Sequence, residues 1–103
     1  MATTMDFVEY IMEQVAGFDA RYRKMFGEYM VYISDKPILL VCDNTVFVKI
    51  WPCIEDLMQS ADKGFPYTGA KEHYILDLDD AELVREVITR LKEVTPIPKK
   101  RKK

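Results

Sequence analysis

The chain has little of what chemistry needs. Histidine occurs once, at His73, and cysteine twice, at Cys42 and Cys53. Two cysteines eleven residues apart make no disulfide framework, and with one histidine they fall short of the four close-set ligands of structural zinc. A lone histidine without a nucleophile motif gives no catalytic constellation. The four glycines are scattered, so no glycine-rich loop can cradle a phosphate. No apolar run nears the roughly 20 residues that span a bilayer. The opening MATTMDFVEY lacks the basic and apolar regions of a secretory signal. The expectation is a cytoplasmic domain in a reducing setting, with no metal, no cofactor and no membrane role.

What is present is a core. Of 103 residues, 49% are hydrophobic, enough for one domain without staples. The net charge of −2 conceals an uneven distribution. Lys99, Lys100, Arg101, Lys102 and Lys103 are all basic, whereas residues 1–98 hold 10 basic and 17 acidic side chains. An acidic body repels phosphate at long range while the basic run attracts it. Residues 96–103 therefore read as a basic, disordered tail on a domain spanning 1–95.

Three apolar runs organise the chain: Glu28–Ile33, Ile38–Cys42 and Thr45–Ile50. They are rich in Val, Ile, Tyr and Phe, which suit a pleated sheet. Ser34-Asp35-Lys36-Pro37 and Asp43-Asn44 separate them with turn residues. The runs predict an antiparallel meander. Both parities of the second and third strands are apolar, so cover on much of both faces is expected, from helices or a second subunit.

Around the meander, Thr3 caps a helix whose apolar stripe is Phe7, Val8, Ile11, Met12 and Val15, with Gly17 at its end. Phe18–Lys24 reads as a connector, and Gly27 as a bulge. Pro52 opens a second helix, with Ile54, Leu57, Met58 and Ala61 inward and Gly64 ending it. Residues 65–68 and 72–77 read as short strands. Asp79 or Asp80 caps a last helix striped by Leu83, Val84, Val87, Ile88, Leu91 and Val94. The order is α-β-β-β-α-β-β-α, a two-layer α+β domain.

The segment Lys24-Met25-Phe26-Gly27-Glu28-Tyr29, together with Val41-Cys42-Asp43-Asn44-Thr45 and Val46–Lys49, resembles the TfoX N-terminal domain family. Phe65-Pro66-Tyr67, the Tyr74 strand and the acidic cap of the last helix also fit. The resemblance runs from about Phe7 to Val94. It implies a secretion-chaperone-like α+β fold, a bacterial setting, and a link to competence and transcription regulation. In longer members a helical C-terminal domain follows; here the basic tail stands in its place, so a stand-alone form is expected. The family brings no catalytic residues to carry over.

The resulting expectation is a non-enzymatic protein-interaction or regulatory module that binds a protein partner or itself as a homodimer. The candidate interaction residues are Arg21, Arg23, Lys24, Tyr29, Tyr32 and Trp51; Tyr29, Met30, Tyr32, Phe47 and Trp51 exceed what the small helices obviously cover, and aromatic and Met side chains are enriched in interface cores. The alternative is nucleic-acid binding through Arg21–Lys24 and the polyanion contact Lys99–Lys103.

Overall fold

The computed structural model describes residues 3–25 and 28–95. Helix α1 spans Met5–Gln14. Six strands follow: β1 (Ala20–Met25), β2 (Glu28–Ile33), β3 (Lys36–Cys42), β4 (Thr45–Lys49), β5 (Lys63–Gly64) and β6 (His73–Ile75). Helix α2 spans Ala81–Val94. The strands form one antiparallel sheet in the order β1-β2-β3-β4-β6-β5. This is the α+β architecture that the pattern predicts, with three amendments.

First, the connector at 18–24 is mostly strand. β1 pairs along its whole length with β2, from Ala20 opposite Ile33 to Met25 opposite Glu28. Its ARYRKM sequence hides the strand because an edge strand carries charge where a central one carries apolar side chains. Second, the middle helix is a 3₁₀ turn, Pro52–Ile54, continued by turns to Ser60. Its amides bond mostly three residues back, as Leu57 N does to Ile54 O and Ala61 N to Met58 O. A three-residue repeat returns side chains to one side almost as a helix does. Ile54 and Met58 are therefore buried as predicted. Third, residues 65–68, expected as a strand, form a bend with Phe65 and Tyr67 exposed, and the short edge strand is β5 instead. The bulge expected at Gly27 lies outside the described residues.

The turns of the β2–β3 and β3–β4 hairpins each have two residues at positive φ: Ser34 and Asp35 at 51° and 66°, Asp43 and Asn44 at 52° and 55°. Such turns twist in the sense that paired strands require. A register shift beside Val31 and Tyr32 places an extra residue on β3, with Leu39 opposite Val31 and Pro37 opposite Tyr32. The consecutive residues Ile38 and Leu39 are both buried. This bulge accounts for part of the two-parity apolar pattern.

The core lies on one face of the sheet. Tyr29, Val31, Ile33, Leu39, Val41, Val46, Val48 and Tyr74 pack there with Val8, Ile11 and Val15 of α1 and Val84, Val87, Ile88 and Leu91 of α2. Phe47 and Cys42 are buried but stand outside this cluster. Thr4, one residue later than expected, caps α1 by accepting from Phe7 N, and Asp80 caps α2 by accepting from Leu83 N.

Adjacent leucines test the two faces. Leu39→Ala should destabilise the fold by about 2–5 kcal/mol, and Leu40→Ala by only about 1 kcal/mol, measured by urea unfolding. Equal losses would contradict a one-sided core.

Candidate functional site

Alternation places every second strand residue on the face away from the helices. The register then builds a line across five strands: Arg23 opposite Met30, Met30 opposite Leu40, Leu40 opposite Phe47, and Phe47 opposite Ile75. Asp62 extends it by alternation with Lys63, which stands opposite the core residue Tyr74, and its carbonyl accepts from Ile75 N at 2.8 Å. A side chain at Gly64 would meet Ile75 and Phe47 at 3.3 and 3.4 Å, which fixes that strand's orientation toward the same face. Beside the line, Arg21 stands opposite Tyr32, and Lys49 opposite His73. The His73 ring packs edge-on against Phe47, with centroids 6.4 Å apart. No helix among the described residues packs on this face.

The six candidate interaction residues divide. Arg21, Arg23 and Tyr32 lie on this open face, where Arg21 pairs with Asp35. Lys24 alternates to the other face, opposite Tyr29. Tyr29 is a core residue, 6% exposed, its ring edge-on to Tyr22 and its hydroxyl donating to Met5 Sδ at 3.4 Å. Trp51 is half-buried and packs on the core. The strand thus splits the basic cluster between two faces. Lys99–Lys103 lie outside the described residues. Leu40 and Ile75 escaped selection because each reads equally well as core; only the register assigns them, with Met30 and Phe47, to the open face.

A second concavity of about 720 Å³ lies at the end of the sheet between α1 and the start of α2. Asp62, Asp77, Asp79 and Asp80 rim it. Three of these carboxylates are engaged in the fold. Asp77 accepts from Asp79 N, Asp80 from Leu83 N, and Asp79 from the Tyr10 hydroxyl, whose pKa that bond raises. His73 and Cys53 do not meet here. His73 Nδ1 contacts Lys71 O on the open face, whereas Cys53 packs on the core and lies 3.9 Å from Arg90 O. Among the described residues no three or more His, Cys, Asp or Glu side chains group as a metal site, and no helix is long and apolar enough to cross a membrane.

Arg90 ties the 3₁₀ turn to α2. It donates to Asp56, Glu86 and Cys53 O, and the Asp56 contact raises its pKa. At the opposite end, Asn44 Oδ1 accepts from Thr4 N at 2.9 Å, Thr3 donates to Glu28, and Glu28 accepts from Asp43 N.

Burial, then the neighbouring Glu28 and Asp43, pushes the Cys42 thiol from 9.0 up to about 11. At pH 8 its thiolate fraction is about a hundredfold below that of an ordinary thiol. Cys42 should resist iodoacetamide in the folded protein and react on unfolding. Above its unfolded pKa, the unfolded chain releases a proton that the folded chain keeps. Stability should therefore fall as pH rises from about 9 to about 11, and less steeply in Cys42→Ala. Rapid labelling of Cys42 in the folded state would contradict this.

No protein-family model matches the chain, and no solved structure matches it significantly. An uncharacterized 12.7 kDa protein in the trpE 5′ region of Spirochaeta aurantia is 30% identical over 106 residues, spanning 99% of this chain and 91% of the relative. The chain therefore belongs to the same family as that Spirochaeta aurantia protein.

Proposed function

We propose that this domain is a non-enzymatic recognition module that binds a protein partner through the open face of its sheet. The observation that carries the reading is the line Met30–Leu40–Phe47–Ile75, four apolar side chains on four adjacent strands. At about 4.8 Å per strand it spans some 14 Å without interruption. Met30, Leu40 and Ile75 are half-buried there around the buried Phe47, and apolar side chains grouped in this way mark contact sites. Tyr32 and Arg23 flank it, both residue types enriched in interface hot spots.

The cytoplasm suits this reading, since both cysteines are free thiols. The resemblance to TfoX N-terminal domains supplies the regulatory side, a bacterial module that acts by contact on transcription or competence-like control. The same resemblance supports one folded domain over residues 1–95.

Leu40→Asp should abolish partner capture from a native lysate, whereas Glu93→Lys on the exposed side of α2 should leave it intact. Tyr32→Ala should weaken capture about tenfold. Quantitative pull-down, with circular dichroism to verify folding, reads the result. Full capture by Leu40→Asp would overturn the proposal.

A further inference from the structure

The open face carries a charge pattern along its apolar line. Arg23 stands at the β1 end and Asp62 at the β5 end, with Met30, Leu40, Phe47 and Ile75 between them. Neither Arg23 nor Asp62 has an ion-pair partner among the described residues. The sequence of the line is therefore cation, four apolar residues, anion. Such a line is complementary to its own reverse.

Resting on the reading of this face as a recognition surface, the geometry points to a second copy of this chain as its occupant, laid face to face about a two-fold axis parallel to the strands. That axis reverses the line. Arg23 then meets Asp62 of the second copy, Met30 meets Ile75, and Leu40 meets Phe47. Each contact occurs twice, as an isologous interface requires. The neighbouring line agrees: Tyr32 comes to lie over His73 of the second copy. One like-charge approach occurs at the rim, Glu28 over Asp77. Both carboxylates already accept hydrogen bonds, Glu28 from Thr3 and Asp43 N, Asp77 from Asp79 N. The alternative two-fold axis, parallel to the line, sets Arg23 over Arg23 and is disfavoured.

Area sets the expected strength. The line from Arg23 to Asp62 is about 24 Å long, and three side-chain lines cover about 20 Å along the strands. That gives roughly 500 Å² per copy, below the roughly 800 Å² of a standard interface. Phe65 and Tyr67, 63% and 61% exposed, follow β5 at this edge of the sheet, where they can extend the contact. A reversible, concentration-dependent dimer is expected.

Sedimentation equilibrium over a concentration series tests this. The 12.1 kDa chain should shift toward twice its mass as concentration rises. Arg23→Glu and Asp62→Lys should each raise the dissociation constant about tenfold or more, because both symmetric pairs become repulsive. An equimolar mixture of the two variants should recover the affinity, since every cross-contact is again opposite in sign. Circular dichroism verifies folding, and Arg23→Gln serves if Arg23→Glu does not fold. A mass of 12.1 kDa throughout, an unchanged constant in Arg23→Glu, or a mixture no tighter than its components overturns the dimer. If the chain is monomeric while Leu40→Asp still abolishes capture of a different protein, the second copy is rejected and the recognition face stands. If Leu40→Asp changes neither mass nor capture, both fall.

Discussion

The register of the β2–β3–β4 meander is the constraint on which the molecule depends. Two-residue turns at Ser34-Asp35 and Asp43-Asn44, all four residues at positive φ, leave no slack between the strands. Side chains alternate with a period of two, so a slip of one residue would exchange the faces. Leu39 and Val41 would move into solvent, and Leu40 under the helices. The β3 bulge adds to this constraint, burying Ile38 beside Leu39 without shifting the line through Leu40. Polar contacts hold the helical layer to the same frame. Asn44, within a turn, accepts from the amide of Thr4, the cap of α1, and Glu28 accepts from both the Thr3 hydroxyl and the Asp43 amide.

Among the described residues the second layer covers one face of the sheet. With α1 of 10 residues, α2 of 14 and a single 3₁₀ turn, the helical cover matches one side of a six-stranded sheet. Val31, Val41 and Ile88 are fully buried there. The other side is shaded mainly by its own neighbours, which leaves Met30, Tyr32, Leu40 and Ile75 half-buried. Phe47, 7% exposed, lies in the middle of the line with Leu40 and Ile75 on either side.

Most of the fold was legible because its signals are local. The β2 limits, the Asp43-Asn44 turn and the α2 stripe each follow from a few adjacent side chains. What local pattern could not supply was neighbour order. Strand β1 looks like a connector because Arg21, Arg23 and Lys24 are the charges that an unpaired edge tolerates. The turn after Pro52 looks like a helix because Ile54, Met58 and Ala61 fit both repeats. The candidate site was half legible for the same reason. Alternation alone sets Tyr29 and Tyr32 on opposite faces of β2, but which of the two faces the helices cover becomes visible only in the packed structure. Asp62 was invisible, since its place in the line depends on a hydrogen bond to Ile75, thirteen residues away.

An open face need not be apolar for such a sheet to fold. Strand β4 shows this within five residues: Thr45 and Lys49 share their face with Phe47, so polar side chains are accommodated there without loss of register. Threonine at 30, 40 or 75 would satisfy strand propensity equally well and would shed the apolar surface. Fold stability therefore does not require the identities of Met30, Leu40 and Ile75. The carboxylate cleft at the end of the sheet shows the opposite relation. Its aspartates cap α2, bond Tyr10 and close the turn before the helix, so the fold already accounts for three of them. Of the two surfaces, the acidic one is largely explained by local structure and the apolar one is not. What remains to be accounted for is an apolar line whose end charges are opposite and whose length is set by the sheet.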